Sequence, residues 1–155
     1  MKFALGRYQF GFTHDTIYNA DQPYLERWIL WCGITLRLHR FLASDEDRAV
    51  HDHPWWFITL PFASYGEFIE PKGKDGQGQD EQTDGQEIYR TVTAWRPHFR
   101  ASNFRHRVEI TQTPSWTLVV TGPKSNEWGF WQGQEFVHNR DWQNQIAPVV
   151  DQSEM

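Results

Sequence analysis

His51-Asp52-His53 is the stretch whose residue types and spacing can do chemistry. It stands just before an apolar, β-branched and aromatic run, Phe57-Ile58-Thr59-Leu60. Strand side chains alternate between two faces with period two. A His-x-His pair at a strand start therefore points both imidazoles one way and Asp52 the other. Two imidazoles on one face are two legs of a metal site, of a kind that suits iron, copper, nickel or zinc. A third leg has to come from elsewhere in the chain. The competing reading of the same pair is structural, with each ring bonded to backbone carbonyls.

Length and composition bound what can surround the pair. The 155 residues predict a single domain spanning 1–155, long enough to bury a substantial core. Twenty Asp plus Glu against fifteen Lys plus Arg argue against a nucleic-acid partner. Nine tryptophans point to packed β structure or to a cavity with flat apolar walls. Cys32 is the single cysteine, so no internal disulfide forms, which fits a reducing, cytoplasmic setting. The first residues lack the apolar core of a secretory signal. No run of roughly eighteen apolar residues exists to span a membrane as a helix.

The elements that must position the histidines read as short strands. Residues 1–22 are irregular in pattern, with Phe3, Tyr8, Phe10 and Phe12 able to form an edge strand and His14-Asp15 in a loop. Tyr24 to Trp31 reads as a strand, turning at Cys32-Gly33 into a second, Ile34 to Leu42. That second strand has Ile34, Leu36, Leu38 and Arg40 on one face and Thr35, Arg37, His39 and Phe41 on the other. Ser44 to Arg48 is a charged loop. Strands follow at Trp56–Pro61 and Ser64–Glu70. Residues 71–86 hold four glycines and almost no apolar residue and read as a flexible hairpin loop. Strand character resumes at Glu87–Trp95, and residues 96–100 break it. A turn at Ala101–Phe104, with Asn103 able to take positive φ, feeds a strand carrying His106. Further strands are expected at Trp116–Thr121, Trp128–Trp131 and Gln134–His138, with a peripheral polar tail after about Trp142. Short strands at this spacing predict an all-β sandwich or barrel.

A His-x-His pair followed, one hairpin later, by a turn and a third histidine resembles the cupin superfamily, a double-stranded β-helix or jelly-roll barrel. The family's first motif runs Gly, five residues, His-x-His, three or four residues, Glu, six residues, Gly. His51 and His53 match its histidines and Gly66 its closing glycine; Asp45 stands for the opening glycine. The acidic position falls near Ile58 or Thr59, so the family's carboxylate ligand is missing. The second motif, Pro-x-Gly-x-x-His, is matched by Ala101 to His106 with Ala for Pro and Asn103 for Gly. The wording His-Asp-His-Pro-Trp at 51–55, with Thr121-Gly122-Pro123-Lys124 and Glu127-Trp128-Gly129-Phe130, is also similar to small cupin-like proteins of bacteria and phages that have no assigned reaction.

The resemblance implies a three-histidine metal site of His51, His53 and His106, with coordination left open for substrate. Iron(II) is the favoured ion, with nickel or zinc as alternatives, and among cupins the thiol dioxygenases have a similar ligand set. Three neutral imidazoles leave the ion its full charge, which favours an anionic small-molecule substrate. Arg37 and His39, on one strand face, either project into the cavity, Arg37 clamping a carboxylate and His39 a reserve ligand, or form a solvent-facing pair. Tyr65, sharing a face with Glu67, is a candidate acid or base, with a hairpin salt bridge the competing role. His98 with Arg96, Arg100, Arg105 and Arg107 reads mainly as a solvated basic loop. A homodimer is implied as well. The alternatives are a metal-free cupin of the sugar-nucleotide epimerase or isomerase type and a non-catalytic ligand-binding or interaction module.

Overall fold

The computed structural model describes residues 1–5, 8–19, 21–32, 34–45, 49–70, 87–133 and 135–146. The chain forms two antiparallel sheets facing each other. Its strands are β1 (Lys2–Leu5), β2 (Tyr8–Asn19), β3 (Gln22–Trp31), β4 (Thr35–Phe41), β5 (Val50–His51), β6 (Phe57–Pro61), β7 (Tyr65–Glu70), β8 (Ile88–Val92), β9 (His98–Arg100), β10 (Arg105–Glu109), β11 (Ser115–Thr121), β12 (Gly129–Gln132) and β13 (Glu135–His138), followed by the helix α1 (Asn139–Ile146). One sheet has seven strands in the order β1-β2-β3-β4-β11-β6-β9, the other six in the order β13-β12-β5-β10-β7-β8. Non-consecutive neighbours such as β4-β11-β6 and β5-β10-β7 make this a jelly roll rather than a meander.

Inward and outward faces follow the period-two pattern, with an inversion of size. On β11, Ser115, Thr117, Val119 and Thr121 are buried while Trp116, Leu118 and Val120 are half-exposed. Arg37 and His39 on β4 lie opposite Val119 and Thr117 and share that inner face. Small and polar residues thus point into the sandwich, which leaves space between the sheets. At one end that space is closed by Tyr24, Leu25, Phe41, Tyr65, Val92 and Val108, a buried apolar cluster.

Several expectations are corrected. His14-Asp15 is not a loop but lies inside β2, where the twelve-residue strand pairs along β3. The fork of Arg27 grips Asp15 at 2.8–3.0 Å, and His14 stacks on Trp28 at 4.6 Å. Polarity there reflects cross-strand pairing on a sheet, not a turn. Residues 98–100 add an edge strand, β9, beside β6. The turn before His106 closes through the Phe104 N–H on the Ala101 carbonyl, 3.1 Å. Asn103 is not left-handed in it; among the described residues the non-glycine at positive φ is Trp95, at 60°. Beyond β13 the chain forms α1, where Trp142 is buried and stacks on Phe130 at 4.5 Å. A single large ring turned inward is enough to dock a helix that otherwise reads as a polar tail. The expected 71–86 hairpin loop lies outside the described residues.

Candidate metal centre and cavity

The histidine pair does not begin β6 but sits where the chain changes sheets. His51 ends β5 in the six-stranded sheet, His53 lies two residues on, and β6 opens the other sheet at Phe57. Asp52, pointing the other way as expected, ties this crossover down. Its carboxylate accepts the Gly129 N–H at 2.9 Å and the Trp131 indole N–H at 3.2 Å. His106 on β10 is the direct cross-strand partner of His51, so both rings leave the same face. The structure therefore brings His51, His53 and His106 together, one ligand nitrogen of each lying within 4.8 Å of the others. Tetrahedral bonds of about 2.1 Å set ligand nitrogens about 3.4 Å apart, so side-chain shifts of up to about 1.4 Å bring all three nitrogens onto one metal. The donor set and spacing fit a divalent ion.

One histidine is held in a chosen tautomer. Glu67 on β7, 1 % exposed, accepts the His106 Nδ1–H at 2.6 Å. That leaves His106 Nε2 bare, and it accepts the Nε2–H of His53 at 2.8 Å. A ligand histidine whose other nitrogen donates to a carboxylate is fixed in orientation and made more basic. The second oxygen of Glu67 takes the Arg100 guanidinium at 2.9 Å and Arg90 at 2.7 and 2.8 Å. Burial alone would raise the Glu67 carboxyl, but His106 and Arg100 outweigh it and hold it well below the usual range. His53 is held well below its ordinary value by burial, then by His51 and His106, and stays neutral. Neutral rings are the form that binds metal.

The site opens into a cavity of about 180 Å³ between the sheets. Arg37, His39 and Tyr65 all line it. Arg37 lies over the Trp55 ring at 4.2 Å, a cation–π contact. Burial and then Arg27 lower it to about 10, so it is still cationic at neutral pH. Among the described residues no carboxylate pairs with it; Asp15 is taken by Arg27. His39 is lowered to about 3, by burial and then by Arg37 and Arg27. Tyr65, 4 % exposed, is pushed far up by burial and by Glu67, and remains a phenol.

The basic cluster divides. Arg105 and Arg107 sit on the outer face of β10, as period two requires, bonded to Glu70 at 3.5 Å and Glu87 at 2.7 Å. His98 gives its ring N–H to the Thr93 carbonyl at 3.0 Å. Arg105 is buried there, and so is Arg100, which belongs instead to the network behind His106. The expected hairpin salt bridge of Glu67 does form, with Arg90, its cross-strand partner, alongside the bond to His106. The roles of Glu67 and Arg100 behind the site were missed. The period-two placement of Glu67 beside Tyr65 was the available signal for the former.

The sequence matches no family model and no curated protein. Among solved structures it is similar to Fe(II)-HppE with the alternative substrate (S)-1-HPP, with a TM-score of 0.54 at 8 % identity over 72 % of this chain and 56 % of that one. The complex of Fe(II) HppE with substrate matches with a TM-score of 0.53 at 7 % identity, over 71 % and 56 %. The chain spans little more than half the length of the structures it matches. The fold is cupin-like. The jelly roll expected from the motifs is therefore the architecture observed. No helix among the described residues is long and apolar enough to cross a membrane.

Proposed function

We propose that this chain is a metal-dependent enzyme of the dioxygenase type, binding iron(II) on His51, His53 and His106 and acting on a small anionic substrate. The observation that carries this reading is the convergence of three imidazole nitrogens within 4.8 Å at a cavity that also holds a half-buried arginine, Arg37, with no carboxylate partner among the described residues. Bound there, the ion supplies a Lewis-acid and redox centre with open coordination. The chain's own residues do the rest. Arg37, braced on Trp55, draws the substrate anion in and fixes its orientation. The phenol of Tyr65 serves as a proton donor within the cavity. Glu67 holds His106 with Nε2 toward the site. The walls of Phe57, Trp128 and Phe130 exclude water. The solved neighbours above are iron(II) forms of an enzyme with its substrates, which supports this reading.

The reading extends to the whole chain as one domain and to a homodimer. The outer face of the seven-stranded sheet supports the latter, with Phe12, Leu30 and Phe99 all more than a third exposed. The free, exposed thiol of Cys32 supports a cytoplasmic setting.

The test is elemental analysis of untagged protein beside His51→Ala and His106→Ala. We expect near-stoichiometric iron, or nickel or zinc, lost in both variants while their circular dichroism is unchanged. A folded wild-type protein that takes no metal even after anaerobic iron(II) reconstitution sinks the reading. With metal established, oxygen consumption against small carboxylates and thiols tests the reaction type.

A further inference from the structure

The wall opposite the histidines carries polar atoms that no group among the described residues uses. Thr117 on β11 and His39 on β4 are direct cross-strand partners, and both line the cavity. Thr117 is 2 % exposed. Thr117 Oγ1, His39 Nε2 and Arg37 Nε are each buried with no hydrogen-bond partner among the described residues. Buried polar atoms are otherwise almost always paired, so such a cluster on a cavity wall calls for a ligand.

We propose that His39 and Thr117 form a hydroxyl-recognising subsite, so that the substrate anchored by Arg37 is a small hydroxycarboxylic acid. The inference rests on the Arg37 clamp proposed above and deepens it. Its chemistry comes from the donor and acceptor inventory. A guanidinium only donates, which matches an anion. A neutral imidazole has one donor and one acceptor nitrogen, and a threonine hydroxyl both donates and accepts. The complement of such a pair is a group that does both. An alcohol does, whichever tautomer His39 takes; a carboxylate, which only accepts, satisfies the pair only where Nε2 carries the proton, and an ammonium, which only donates, only where it does not. His39 remains neutral across the physiological range because burial and Arg37 oppose its charging. The cavity, about 180 Å³, is smaller than the roughly 300–1,000 Å³ of sites for drug-sized ligands, so the acid is short.

The test is an NMR titration of the full chain stripped of metal, so that no hydroxyl can be chelated. The probes are lactate, 3-hydroxybutyrate and 4-hydroxybutyrate beside propionate and butyrate. At least one hydroxy acid should bind about tenfold tighter than its deoxy counterpart. Thr117→Val and His39→Phe should each bring it down to the deoxy level. Equal affinities in the wild type, or a preference that survives Thr117→Val, overturns the subsite. Arg37→Met separates the two readings. If butyrate binds and Arg37→Met abolishes it while the hydroxyl adds nothing, the clamp stands and only the subsite falls. If no acid binds the wild type, both fall.

Discussion

The two walls of the cavity treat their buried polar groups in opposite ways. On the six-stranded sheet, both oxygens of Glu67 and both ring nitrogens of His106 are bonded, with the Arg100 guanidinium reaching Glu67 from β9 of the other sheet. On the seven-stranded sheet, Arg37, His39 and Thr117 each leave an atom unpaired. The first arrangement holds rings at fixed angles before any ligand arrives. The second leaves buried donors and acceptors that no group among the described residues satisfies. One wall is built to position a metal, the other to select what comes to it.

The largest effect expected from this contrast lies on the saturated wall. Glu67→Ala strands Arg100, which is 7 % exposed, and frees the His106 ring. Removing one partner of a buried ion pair costs about 3–5 kcal/mol, because the other charge is left uncompensated. Urea unfolding of the metal-free protein should show a loss of that order. A loss under about 1 kcal/mol, the scale of an exposed pair, would mean the wall is not a network at all.

Next comes the acid limb of stability, which reports on the unsaturated wall. His39 titrates at about 3 in the folded chain against 6.5 for a free ring, from burial first and then Arg37 and Arg27, with Asp15 opposing. Between those values the unfolded chain binds a proton that the folded chain refuses. Stability is therefore full above about 6.5 and falls as pH drops toward 3. His39→Phe removes this share. Between pH 7 and pH 5 the wild type should lose about 1–2 kcal/mol more than the variant, measured by urea melts at each pH. Equal losses in both would show that His39 charges freely, and so is not desolvated.

How much of this could be read from the chain alone divides along the same line. Spacing of two put His51 and His53 on one face, because period-two alternation is a local property, while His106 entered through the resemblance to the cupin second motif. The same rule put Arg37 and His39 on one face but left open whether that face met cavity or solvent. What spacing cannot supply is pairing between distant strands. Glu67 reaches His106 because β7 lies beside β10, thirty-nine residues on, a non-local register. Thr117 looked like an ordinary residue of an apolar strand, and only its position opposite His39 gives it meaning. His14-Asp15 misled in the same way, since a polar pair reads as loop until its partners Trp28 and Arg27 are known. Trp142 was legible as aromatic but not as buried, because what it packs on, Phe130, belongs to another strand.

The smallest expected effect has the opposite sign from the first, and that makes it the sharper test of the comparison. Thr117→Val keeps the shape of the side chain and deletes a hydroxyl that is 2 % exposed and unpaired. Trading a bonded threonine for valine ordinarily destabilises, because a partner is stranded. Here no hydrogen-bond partner among the described residues is stranded, and the folded state is relieved of a buried, unbonded oxygen. The variant should gain about 1 kcal/mol, or about 2–4 °C in Tm for a chain of this size. Calorimetry of the two proteins without ligand measures it directly. A stabilised variant alongside a lost hydroxyl preference would mark Thr117 as a residue kept for function at a cost in stability. A destabilised one would mean that Thr117 is bonded within the fold, and the two walls would no longer differ.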